Sequence, residues 1–295
     1  MSADRPKAGG TRASRSVGSV VSFGAVVALA VFVLVDAVVR GHVLFALRWA
    51  PAMLFLVWLF WLLLWQLGSM ALSQAVLLPA PAAVLKRLAA LSLEPAFWRS
   101  VAFSFGRIAA GFFAALFGGA LLAAAAARFE PVDILLSPLM AVIKASPVAS
   151  FIILLLIWVP SRSLSIVIAF MMALPILYTT LCEGLRATDP AMLELAEVFK
   201  VPAARRVRYL YLSQLLPYLR SACAVSIGLC WKSGIAAEVI GIPKGSVGER
   251  LYEAKIYLDT PDLFAWTVVI VLLSMLFGRL FLALLDAVVR RIERM

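Results

Sequence analysis

Charged side chains inside otherwise apolar sequence are the groups whose chemistry needs explaining. Lys232 and Glu238 lie in the stretch Trp231-Lys232-Ser233-Gly234-Ile235-Ala236-Ala237-Glu238, and Lys144 precedes Ser146-Pro147. An ionised group at membrane depth is costly, so it faces an opposite charge, a water-filled cavity or the interface. Lys232 and Glu238 therefore read in two ways. They are a structural pair, or two residues reaching the membrane ends, or else Lys232 offers positive charge to an anion on a path lined by Trp231, Lys232 and Glu238. Lys144 reads either as the cation of a cytoplasmic helix end or as a further residue of that path. Gly234 and the neighbouring alanines allow another helix to approach closely.

Other reactive constellations are scarce. His42 is the single histidine, which leaves little for imidazole metal sites or histidine-dependent nucleophiles. Cys182, Cys223 and Cys230 show no CxxC spacing and sit in or beside apolar runs, so they read as small packing residues. No GxxxxGK[ST] stretch occurs, so the chain has no P-loop of its own for ATP. No catalytic residue, metal site or cofactor is expected. Any active transport must draw its energy from a partner or an ion gradient.

The elements that position these residues follow from composition. Of 295 residues, 64% are hydrophobic and 15% charged, and the mean hydropathy is +1.01, far above what a water-soluble core needs. Apolar runs long enough to cross about 30 Å of hydrocarbon as helices fall at 18–39, 43–68, 100–127, 132–157, 163–183, 214–240 and 264–288. Lipid offers the backbone no hydrogen bonds, so the chain must be an all-α, polytopic transmembrane bundle of six or seven spans.

The net charge of +11 reads as the positive-inside bias of loops rather than as a nucleic-acid surface. Lys200, Arg205, Arg206 and Arg208 place the 184–213 loop in the cytoplasm, and Arg290, Arg291 and Arg294 place the C-terminus there. Residues 1–17 form a basic tail that reads as disordered, with Arg5, Lys7, Arg12 and Arg15 among Ala, Gly and Ser. That tail calls for a cytoplasmic start, whereas seven full spans would put it outside. The 18–39 segment, with Asp36 inside it, lacks the cleavage site of a signal peptide and reads as retained.

The 184–213 loop carries its own architecture. Thr188-Asp189-Pro190 reads as a helix start, with Asp189 capping free amides and Pro190 at the first helical position. Met192, Leu195, Ala196 and Phe199 then share one face, while Glu194, Glu197 and Lys200 face elsewhere. A second short helix carries Arg205, Arg206 and Arg208 back toward the membrane, with Tyr209 and Tyr211 suited to the interface. An apolar face outside the bilayer must be covered, either by lipid or the bundle's own end, or by a groove on another protein.

At these residues the chain resembles a family. Glu194-Leu195-Ala196, with Leu215-Leu216-Pro217 about twenty residues on, is similar to the EAA loop of ABC importer membrane subunits. Leu78 to Leu85, Ser104 to Gly111, Lys144 to Ala149, Ile157-Trp158, Trp231 and Ala236-Ala237-Glu238 follow in the order of the nitrate, sulfonate and taurine type of permease. The resemblance spans about 58–288, the permease core. Residues 18–57 are left as an N-terminal hydrophobic helix and the start of the first core span, and 289–295 as a basic tail.

The resemblance implies a type I ABC importer permease fold of six core spans plus the extra N-terminal helix, in the plasma (inner) membrane. It implies cytoplasmic ABC ATPase subunits, an extracytoplasmic substrate-binding protein and a second permease subunit, read as an identical copy. The ATPase would be coupled through Met192, Glu194, Leu195, Ala196, Phe199, Lys200, Arg205 and Arg206. The solute would be small, with a possible anionic character from the path lysines. Two positions depart from the pattern: Lys200 stands where the family has Gly, and Ser213 where it has Pro. The first predicts a turn built differently, around Pro202. The competing class is a secondary transporter driven by an ion gradient, which calls for inverted repeats and mid-membrane carboxylates. No clear repeat is visible, and Asp36, Glu238 and Asp286 are the few acidic candidates.

Overall fold

The computed structural model describes residues 43–72 and 77–293; the span expected at 18–39 lies outside them. All regular structure among the described residues is helical, in accord with the all-α expectation. The chain divides into two units between Leu67 and Gly68. The first holds most of helix α1 (Val43–Leu72), whose side chains from Phe55 to Leu63 are all exposed. An apolar stretch of exposed side chains on a helix is what lipid contact requires.

The second unit continues through α2 (Pro81–Ser92), α3 (Pro95–Arg128), the pair α4 (Glu130–Ala145) and α5 (Val148–Leu155), and α6 (Ser161–Arg186). After α6 come the loop helix α7 (Pro190–Val198) and the short α8 (Ala203–Arg206). Last are α9 (Leu212–Gly241), α10 (Val247–Ile256) and α11 (Thr260–Glu293). Among the described residues five helices are long and apolar enough to cross a membrane, or six spans if α4 and α5 count as one.

Two expected elements differ. The single span at 132–157 is broken, with α4 and α5 meeting at 103°. Pro147 has no N–H to donate back into α4 and forces Ser146 out of the helical region, to ψ 137°. The second short helix of the loop is not separate. It runs through a π-helical turn at Val207–Tyr211 straight into α9.

Small residues set the core. Gly111, Ala115, Gly119 and Ala123, four positions apart along α3, are all buried. A Cβ on Gly111 would lie 2.5 Å from the Ile166 carbonyl oxygen, and one on Gly119 would lie 3.0 Å from the Leu177 Cβ. Between apolar helices in lipid, attraction comes from close packing, and this stripe brings α3 and α6 into backbone contact. The two helices run in the same direction. Gly184 of α6 faces Leu215 and Tyr218 of α9, whereas Gly241 faces Leu164 and Ser161. Thus α9 is antiparallel to α6, so α7 lies at one end of the bundle and α10 at the other. Edge-on rings of Phe105, Phe112 and Phe281 around Phe277 join α3 to α11, and Trp231 of α9 packs into the same group. All three cysteines are buried and unpaired.

Candidate functional site

Helix α7 starts as its sequence requires. The Asp189 carboxylate accepts from the Ala191 N–H at 2.9 Å, Pro190 opens the helix, and the Asp189 N–H donates to Gln214 Oε1 at 3.0 Å, tying α7 to the foot of α9. Ala196 is buried (7% exposed) and Leu193 half-buried, so this edge packs inward. The structure therefore takes Ala196 out of the outward face on which the spacing places it. What remains outward is Met192, Leu195, Val198 (77% exposed) and Phe199 (72% exposed), with Glu194, Lys200 and Arg205 exposed nearby and Arg206 half-buried. Val198 extends the patch beyond the four residues expected from the stripe.

The turn after α7 corrects another expectation. It forms at Lys200 itself, not around Pro202: Lys200 takes φ +49°, its N–H donates to the Glu197 carbonyl at 2.9 Å, and the Val201 N–H donates to the Ala196 carbonyl at 2.9 Å. This is the two-bond helix ending that glycine usually completes. A side chain in left-handed backbone costs about 1 kcal/mol. Lys200→Gly should therefore slow hydrogen exchange at the end of α7 by about fivefold if the strain is relieved. Unchanged or faster exchange would show that lysine is tolerated there without cost.

The bend between α4 and α5 opens a cleft of about 320 Å³, walled by Ile143, Val148, Met172, Pro175 and Leu229 with Lys144 and Ser146. Lys144 Nζ donates to Thr179 Oγ1 of α6 at 2.9 Å. One cation in a mostly apolar cleft between four helices is an arrangement that can orient a small ligand with a negative group. Val148 and Ala149 open α5 beside it. Their N–H groups precede the first backbone bonds of that helix, from Ser150 and Phe151 to the Pro147 carbonyl.

Lys232 and Glu238 are not paired with each other: Lys232 is exposed, whereas Glu238 is fully buried. Glu238 Oε2 accepts from Ser104 Oγ at 2.6 Å and from the Gly248 N–H at 3.3 Å, and Ser104 Oγ accepts from the Val247 N–H at 2.9 Å. With Ser246 Oγ on the Glu249 N–H at 3.0 Å, the first three amides of α10 are all satisfied. Glu238 and Ser104 thus clamp α10 to α3 and α9. Trp231, 1% exposed, is not among the residues that line the cleft at the α4–α5 bend. Asp286, the other described in-span carboxylate named from sequence, is held by Arg220 at 2.8 Å.

The chain has counterparts among known proteins. Residues 108–294 match the family model for the binding-protein-dependent transport system inner membrane component, over more than half of the chain. The chain belongs to that family. Over 234 residues it is 24% identical to the aliphatic sulfonates transport permease protein SsuC of Bacillus subtilis (strain 168), covering 78% of this chain and 81% of that one. It is 23% identical to the taurine transport system permease protein TauC of Escherichia coli (strain K12), over 76% and 82% of the two chains. It is 27% identical to the bicarbonate transport system permease protein CmpB of Synechococcus elongatus, over 65% and 73%. In fold it resembles the crystal structure of an amino acid ABC transporter with histidines, with TM-score 0.53 and 19% identity, covering 69% of this chain and 97% of that one. The protein is an ABC importer permease of the nitrate, sulfonate and taurine type, a multi-pass membrane protein with a helical type I permease fold.

Proposed function

We propose that this permease forms one half of a translocation path, paired with an identical copy, and is driven by a separate cytoplasmic ATPase that grips α7. The observation that carries this reading is the outward apolar face of α7. Four large side chains stand uncovered on a helix fixed at both ends, by Asp189 to Gln214 and by the Lys200 turn. Such a patch on a short polar-flanked helix suits a protein groove. Met192, Leu195, Val198 and Phe199 insert, Glu194 and Lys200 flank the contact, and Arg205 and Arg206 border it. On this reading α7 and the C-terminus are cytoplasmic, and the α10 end faces out, where a binding protein delivers the solute.

Closure of the ATPase pair on ATP moves α7 as a lever and switches the bundle between inward and outward openings. The relatives named for sulfonates, taurine and bicarbonate support a small solute that carries a negative group, and Lys144 in its cleft is suited to meet that group. Lys232, exposed on α9, adds positive charge to the path. Trp231 and Glu238 serve it by bracing the helices that form its wall. An ion-gradient carrier is less favoured because Asp286 and Glu238 are committed to Arg220, Ser104 and α10.

Reconstitution tests the reading. Proteoliposomes holding the permease, its ATPase and its binding protein should accumulate solute only when ATP is supplied on the α7 side. Accumulation by the permease alone under an ion gradient would overturn it.

A further inference from the structure

At the end of the bundle that carries α10, a second cleft of about 320 Å³ opens between α2, α3, α10 and α11. Its wall differs from that at the α4–α5 bend, because it mixes both signs of charge with aromatic rings. Arg87 is held by Asp262 at 2.7 Å and Arg250 NH1 by Glu253 at 3.0 Å. Glu94 and Asp259, on the same wall, have no cationic partner among the described residues. The Glu94 side chain stands at the start of α3 without capping it, and the Asp259 carboxylate accepts the Asp262 N–H at 3.1 Å. Trp266 also lines the cleft. It is 2% exposed, and its Nε1–H has no acceptor.

These groups make opposite demands. The two carboxylates, both exposed, attract a cation. The buried indole N–H and the remaining Arg250 donors call for an acceptor. A simple cation would leave Trp266 unmet, and a simple anion would meet two carboxylates with no compensating charge. We propose that this cleft binds a zwitterion, with its ammonium against Glu94 and Asp259 and its oxyanion against Arg250 and the Trp266 N–H. Tyr257 on the cleft wall is exposed, and Leu93, Trp98 and Leu258, each next in sequence to a lining residue, are exposed too, a set suited to the membrane interface. An ethanolamine phospholipid headgroup has this chemistry, and a free amino acid or aminosulfonate shares it.

The full-length permease in phosphatidylglycerol nanodiscs, titrated calorimetrically with dihexanoylphosphatidylethanolamine and separately with glycerophosphoethanolamine, tests the assignment. Binding should weaken about tenfold in Glu94→Gln and in Trp266→Phe. The first alters an exposed helix boundary, and the second keeps the ring packed on Phe97, so both should fold. Binding of the short-chain lipid without the free headgroup supports the site with a lipid as its source. Comparable binding of both supports it with a soluble zwitterion. Binding of neither, or binding that neither substitution weakens, overturns it. Neither the ATPase nor a binding protein is present, so failure here leaves the importer reading untouched.

Discussion

Gly248→Val should cost the permease about 3 kcal/mol or more and release α10 from the bundle. Gly248 is the second residue of α10, and its Cα rests against the Glu238 side chain and the backbone of Val239. A β-carbon there collides with main chain, which cannot swing aside as a flexible side chain would. The helix must lift, and lifting it breaks the Gly248 and Val247 amide bonds to Glu238 and Ser104. It also leaves a fully buried carboxylate short of a partner and opens it to water. Gly106→Ala and Gly228→Ala are the matched controls, because an added Cβ meets nothing within 4 Å at either position. Both should be neutral or stabilising by up to about 1 kcal/mol, the gain of alanine over glycine in a helix. Thermal unfolding of the detergent-solubilised protein separates the cases. A Gly248→Val melting curve overlying the wild type would show that α10 is not clamped as described.

The sequence made the spans legible because crossing a bilayer imposes length and apolarity on each helix separately, so no partner need be known. The helix start at Asp189-Pro190 is equally local, since a proline or an acidic cap acts within one turn. The break in the fourth segment had a visible cause in Pro147, but its angle depends on what α5 packs against, and that is tertiary. The inward edge of α7 was ambiguous for a similar reason. A stripe of i, i+3 and i+4 positions is wide, and only the neighbouring helices decide that Ala196 turns in while Val198 and Phe199 turn out. Glu238 stood out as a charge in apolar sequence, yet its partner Ser104 lies 134 positions away, and a serine in an apolar helix gives no signal of its own. The Gly111, Ala115, Gly119 and Ala123 stripe has a regular spacing of four, but the many other alanines of α3 hide it in the sequence.

Coupling through α7 predicts the other large effect. The patch is apolar at its centre and acidic at Glu194, so its partner must offer a groove able to take Phe199 and a group that meets a carboxylate. Truncating a central aromatic anchor commonly costs a protein interface about 2 kcal/mol or more. Reversing a complementary charge adds repulsion to the loss of attraction. Both side chains are exposed and lie away from the α3–α6–α9 packing, so the double substitution should spare the fold. The most direct measurement is affinity co-purification of the ATPase with the tagged permease carrying Glu194→Arg and Phe199→Ala, with the thermal melt of the permease alone recorded beside it. The account predicts an unchanged melt and loss of the ATPase from the complex. Full retention of the ATPase by the doubly substituted permease would contradict it.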